Sequence, residues 1–170
     1  NKDIKTSQPS PEQFLRAYEK QLTLFDDVLC LTLSKTLSGT INSANLGLTL
    51  IENSHVHVVD TQQTINGSGY IAQRMIDFFE EGHSIEEGMP YLEELIKKGS
   101  LVFTVNDLHT LVKGGRLSKV QAVIGNFLKV KPILRFRQGV LDLEHKVRNY
   151  SNVVAKYDTA AGLFYSQMPK

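Results

Sequence analysis

Apolar and polar positions along this chain follow helical spacing in some stretches and strand spacing in others, and the changes between them mark its elements. Ser10-Pro11-Glu12-Gln13 reads as a helix start, with a serine cap, proline at the first helical position and a capping glutamine. Phe14, Leu15, Tyr18 and Leu22 then fall on one face, which predicts a helix to about Thr23. Asp27–Leu33 is an apolar run without alternation, the pattern of a strand covered on both faces. A helix from about Ser38 to Leu50 and a strand over His55–Asp60 follow, together a βαβ unit with the length of a right-handed parallel crossover.

The same reasoning continues down the chain. Ile71, Met75, Phe78 and Phe79 stripe a helix from Ser68 to Glu81, which Gly82 ends. Ser84 and Glu87 form a capping box for a helix with Ile85, Met89, Leu92 and Ile96 inward. Leu101–Val105 reads as a strand. NDLHTLVKGG reads as a short helix with a glycine stop, and Ser118 with Gln121 as the cap of another, with Val120, Ile124, Phe127 and Leu128 inward. Two alternating runs flank Gln138-Gly139 and predict an antiparallel hairpin. Parallel signals early and a hairpin late define the expected class. It is α/β, a parallel-sheet lobe with helices on both faces plus a smaller α+β lobe containing the hairpin. The expected division is residues 1–82, residues 83–148 and a tail of uncertain structure, 149–170.

Composition narrows the picture without changing it. At 170 residues, 41% hydrophobic and 22% charged, the chain suits one globular domain or two small ones. No apolar run has the length of a membrane span and no signal-peptide pattern is present, so the expected location is cytoplasmic. The chain opens on Asn1 and ends on Met168-Pro169-Lys170, and we expect it to be truncated at both ends. The single cysteine, Cys30, lies in the first apolar strand, where a packed thiol is the ordinary reading. The net charge of +1 is unevenly spread. Lys113–Arg148 holds nine Lys and Arg against Asp142 and Glu144, which makes that segment +7 and the remainder −6.

Candidate chemistry concentrates where the first strand ends. Ser34, Thr36, Ser38, Gly39 and Thr40 crowd the turn before a helix. In an open α/β sheet, ligands bind outside the carboxyl ends of the strands, and a helix start there offers unpaired N–H groups and partial positive charge. Two readings stand, ordinary capping and anion binding. No Lys follows in the GKS/GKT sense, so the turn is not a nucleotide loop. Thr6-Ser7-Gln8-Pro9-Ser10 is a second hydroxyl cluster at a helix start. Asn66-Gly67-Ser68-Gly69 lacks the third glycine of a dinucleotide loop and reads as the opening of a helix. His55 and His57 share one strand face, but no further ligand joins them at metal spacing, so no metal is expected. Lys113-Gly114-Gly115-Arg116 is a turn that projects Arg116, either as a solvated surface or toward an acidic or phosphate-bearing partner. No aromatic interleaving or recognition-helix pattern supports nucleic acid.

Taken in order, TSQPSPEQF, LTLSKTLSGTINSA, VVDTQQTINGSGY, NDLHTLVKGGRLSKVQAVIGNFLKVKPIL and VLDLEHKVR resemble the DegV family, the bacterial fatty-acid-binding proteins that serve fatty acid kinase. The resemblance covers about residues 3–148. The family's first strand with its Asp-Ser signature and its closing histidine segment have no counterpart here, and TQQTINGSG departs from the usual loop. The resemblance implies that Thr6 and Ser38 donate hydrogen bonds to a fatty-acid carboxylate, with Ser7, Gly39 and Thr40 shaping the same cradle. It implies a lipid-binding protein with a role in phospholipid metabolism that is not itself an enzyme. Such a protein needs no cofactor beyond its bound fatty acid, holds that long-chain acid between two lobes and offers its carboxylate to a separate kinase subunit. Lys113, Arg116 and Lys119 are the expected docking face for that kinase. The competing expectation is a small-molecule phosphotransferase or hydrolase using the same cradle for phosphate. A DNA-associated regulator using the basic half ranks last.

Overall fold

The computed structural model describes residues 6–51, 55–105, 131–149, 151–153 and 156. In chain order the elements are α1 (Pro11–Leu22), β1 (Val28–Thr32), α2 (Thr40–Ile51), β2 (Val56–Asp60), α3 (Asn66–Glu80), α4 (Ile85–Lys98), β3 (Ser100–Thr104), β4 (Lys131–Arg137) and β5 (Val140–Val147). The chain is mixed α/β, with a parallel pair β1–β2 and an antiparallel sheet β3–β4–β5. The helices expected over 106–128, the lysines and arginine of the KGGR region and most of the tail lie outside the described residues.

Described residues group into two units, one running to Leu101 and including Arg137–Val140, the other from Val102 to Phe136 and from Leu141 onward. In the first unit, β1 and β2 run parallel in the register Val28↔Val56 to Thr32↔Asp60. Leu29, Leu31 and Val59 face a core of Ile71, Met75, Leu92 and Ile96, contributed by α3 and α4. Cys30 points to the opposite side of the strand, beside Tyr18 of α1. The Tyr18 hydroxyl donates to the Ala44 carbonyl of α2 at 3.1 Å, so the second helix layer is held by a buried hydrogen bond. Helices therefore cover both faces of the parallel pair.

Local chemistry explains the boundaries. Both expected capping boxes form: Ser10 with Gln13 on α1, and Ser84 with Glu87 on α4. α3 begins at Asn66, two residues before the expected start, with Ile65 at φ 48° and no side-chain cap. Gly67 permits this, because a Cβ there would stand 2.7 Å from the Gln63 carboxamide oxygen. α1 and α2 approach closely at Gly47, where a Cβ would meet the Pro11 carbonyl and Phe14 Cβ at 2.8 Å.

In the second unit, Leu134 is fully buried against Phe103, Val105, Leu141 and Leu143. Ile133 and Val147 pack with Val153 and Val102 on the other side of the sheet. Arg135 and Glu144 pair across β4 and β5 through two hydrogen bonds, of 2.7 and 2.8 Å. The Glu144 carboxylate raises the Arg135 pKa above its ordinary value. Gln138 (φ 50°) and Gly139 (φ 75°) form the turn between these strands, both at positive φ as a two-residue hairpin turn requires.

Candidate functional site

The carboxyl ends of β1 and β2 each open into a hydroxyl-rich loop. After β1, Gly39 caps α2, its carbonyl accepting from Asn42 and Ser43 N–H at 2.9 and 3.2 Å. Ser38 Oγ accepts the Thr40 N–H at 3.2 Å and lies 2.8 Å from Thr40 Oγ1. Ser38 thus does cap a helix amide, as the plainer reading of the turn expected. The pair nonetheless holds two hydroxyl protons, and only one fits between its two oxygens. None of the described hydrogen bonds uses the other, so it is free for an outside acceptor. The first turn of α2 carries no acidic residue, so nothing of its own opposes an anion at the positive end of the helix.

Thr6 and Ser7 lie in the exposed segment before α1. Gln8 ties that segment to α2: its Nε2 donates to Ser43 Oγ at 2.7 Å, and its carboxamide occupies the space a side chain at Gly39 would need. Gly39 is therefore a glycine of close approach. Among the residues chosen from sequence, the structure gathers Ser38, Gly39 and Thr40 into one turn, and it is Gln8, the residue after Thr6 and Ser7, that packs against that turn. Lys113, Arg116 and Lys119 lie outside the described residues.

Ser34 and Thr36 stood among the hydroxyls read from sequence, but the partners the structure gives them, and the polar residues Thr61, Gln62 and Gln63 beside them, had no local signal. Ser34 is fully buried; its N–H donates to the Gln63 carbonyl at 2.8 Å, and its own carbonyl accepts from Leu37 and Ser38 N–H at 3.0 and 3.2 Å. Thr36 Oγ1 donates to the Gly139 carbonyl at 2.9 Å, and Gly139 N–H donates to the Gln62 carbonyl at 3.0 Å. Thr61 Oγ1 donates to the Thr32 carbonyl at 2.9 Å and is 2.9 Å from Ser68 Oγ, whose proton must point toward it. Gln63, 1% exposed, donates from Nε2 to the Gly99 carbonyl at 2.9 Å. Asp60 uses its two oxygens on the backbone amides of Gln62 (2.8 Å) and Lys35 (3.3 Å), which shapes both loops.

The remaining candidates have structural partners. Asp27 joins His55 and His57: one carboxylate oxygen stands 3.2 Å from His55 Nδ1 and from His57 Nε2. The hydrogen bond from His57, with one from His55, holds the Asp27 pKa below its ordinary value. No group of three such side chains among the described residues has metal-holding geometry. Burial raises the Cys30 thiol pKa, and burial raises that of Tyr18 beside it. No helix among the described residues is long and apolar enough to cross a membrane.

A parallel pair sandwiched between helix layers, with a glycine-bearing hydroxyl turn at its carboxyl end, defines the class of the chain as mixed α/β. The particular family follows from comparison: this chain belongs to the DegV family, whose sequence profile, described as that of uncharacterised proteins, matches residues 1–162. A DegV domain-containing protein of Staphylococcus aureus (strain MRSA252) is 34% identical over 154 residues, 91% of this chain and 55% of that protein. The chain thus spans about half the length of the curated relatives it matches. A Thermus thermophilus structure described as fatty acid binding of a DegV family protein superimposes with TM-score 0.85 at 36% identity, covering 94% of this chain and 57% of the other. The Streptococcus pneumoniae fatty acid kinase (Fak) B3 protein loaded with linoleic acid superimposes with TM-score 0.77 at 28% identity, covering 94% and 57%.

Proposed function

We propose that this chain is part of a carrier that binds a long-chain fatty acid and presents its carboxylate to a separate fatty acid kinase. The observation that carries this reading is the Ser38-Gly39-Thr40 turn, with one hydroxyl proton free at the start of α2. Thr6 and Ser7 complete the cradle from the segment that Gln8 anchors on Gly39. The solved relatives described as binding fatty acids, and the one described as a fatty acid kinase protein, support the same ligand and partner.

The energetics suit a carrier. Burying an acyl chain gains about 0.8 kcal/mol per methylene, so about fourteen contribute on the order of 11 kcal/mol before the costs of association. A hydrogen bond to a charged group adds roughly 1.5–3 kcal/mol. The tail sets affinity and the hydroxyls set orientation. Neutral donors hold the carboxylate without locking it in an ion pair, which leaves an oxygen nucleophilic toward a phosphoryl group supplied by the kinase. That reaction draws on ATP and places the pair in the cytoplasm. Native mass spectrometry of the purified protein with added oleate or palmitate tests the reading: one bound acid is expected, and no uptake by the full-length protein overturns it. Ser38→Ala and Thr6→Ala are expected to weaken binding with the fold intact. Turnover of a phosphate ester without any partner would favour the competing enzyme.

A further inference from the structure

The hydroxyl turn is closed into a ring by residues distant in sequence. Ser34 N–H meets the Gln63 carbonyl; Gln62, its neighbour, accepts from Gly139 N–H; the Gly139 carbonyl accepts from Thr36 Oγ1; and Thr36 Oγ1 lies 3.0 Å from Ser34 Oγ. Thr36 has one hydroxyl proton and gives it to Gly139, so Ser34 must be the donor in the Ser34–Thr36 pair. Ser34 Oγ in turn accepts the Thr36 N–H at 3.3 Å. Every proton in the ring is committed and the direction of each bond is fixed.

Two features say that the ring is held under constraint. Gln62 sits at φ 51°, a conformation that non-glycine residues keep only where surroundings over-determine them. A second tether, from Gln138 Nε2 to the Lys97 carbonyl at 3.1 Å, fixes the same turn. Ser34 connects the ring to the ligand turn, because its carbonyl holds the Ser38 N–H at 3.2 Å.

We propose that Thr36 is a positioning residue: its single hydroxyl fastens the Gln138-Gly139 turn to the loop after β1 and so holds Ser38 where a carboxylate can be met. Its last step rests on the fatty-acid reading, whereas the placement of Ser38 does not. Thr36 itself is exposed, and its methyl lies where a Cβ on Gly139 would come within 3.6 Å. Its role is therefore the hydroxyl, not packing.

Thr36→Val keeps the side-chain shape but removes both the proton that serves the Gly139 carbonyl and the oxygen that accepts from Ser34. In the full chain, amide hydrogen exchange at Leu37 and Ser38 is expected to speed up about tenfold or more, for the loss of two hydrogen bonds, with α1 unchanged. Release of a fluorescent fatty acid is expected to accelerate by a similar factor at an unchanged association rate. Thr36→Ser should restore both. The proposal is overturned by wild-type exchange at Ser38 in Thr36→Val, by faster exchange without faster release, or by failure of serine to rescue. If the wild-type protein takes up no fatty acid while Ser38 exchange responds as expected, the fatty-acid reading falls and the positioning of Ser38 stands.

Discussion

Ser38 and Gly39 carry different loads although they are neighbours. Ser38 supplies a hydroxyl, while Gly39 supplies room, since the Gln8 carboxamide occupies the place of its missing side chain. In Gly39→Ala the obstacle is the far end of a flexible side chain, so Gln8 turns away and its 2.7 Å bond to Ser43 is lost. A loss of about 1 kcal/mol in denaturant unfolding is expected, the net worth of one hydrogen bond. Gln8→Ala should match it. A Gly39→Ala protein as stable as wild type would show that the Gln8 contact holds nothing. Cys30 is the opposite case, a reactive residue type whose place in β1 beside Tyr18 disfavours its thiolate. Its thiol pKa is raised chiefly by burial, so iodoacetamide at pH 8 should modify it slowly in the native protein and rapidly in denaturant. Equal rates would contradict the packed position.

Two helix pairs each meet at a glycine, and the elements predict different tolerances. Alanine gains about 1 kcal/mol over glycine in a helix interior. At Gly88 a Cβ meets the Phe79 ring edge at 2.7 Å and the Met75 methyl at 3.2 Å, both able to yield. At Gly47 it meets the Pro11 carbonyl and Phe14 Cβ at 2.8 Å, which move only if α1 and α2 separate. Gly88→Ala is therefore expected to be near neutral, and Gly47→Ala to cost about 1–3 kcal/mol in thermal or urea unfolding. Asp27 joins the amino ends of β1 and β2 through the histidines. Its lowered pKa means that its contribution is present in full above the ordinary value of 3.8 and is lost as pH falls through the lower folded-state value. Asp27→Asn should be less stable than wild type above that window, with the difference shrinking on further acidification. A pH-independent difference would remove the titration from the explanation.

At the scale of the whole molecule, charge separates along the chain. The +7 segment includes Arg135, but Arg135 is committed to Glu144, so it adds little to an outward field. Lys113, Arg116 and Lys119 remain the basis of the proposed kinase-docking face. Rim charges mostly steer encounter. Arg116→Glu should slow phosphorylation of the bound acid at low salt, with normal lipid loading and a weaker dependence on ionic strength. Unchanged rates across a salt series would make the patch a solvated surface.

The sequence by itself determined what is local. Apolar periodicity marked the helices and strands from α1 to β5 to within a few positions, because burial of one face is written at fixed spacing, whereas it did not mark the helical residues 151–153. Ser10/Gln13 and Ser84/Glu87 announced two helix starts, and Gln138-Gly139 announced its turn, since caps and turns depend on neighbours three residues apart or fewer. The Ser38-Gly39-Thr40 turn at the start of α2 was legible for the same reason. The ring around it was not. Thr36 and Gly139 are 103 positions apart, and Gln8 and Ser43 are 35 apart; glutamine, serine and threonine are ordinary in loops and mark no partner. Hydrogen bonds of that kind are chosen when packed elements bring backbone carbonyls into reach. Only the tertiary structure, by packing α1 on α2 and setting the Gln138-Gly139 turn against Thr36 and Gln62, decided which hydroxyl protons are spent internally and which are not.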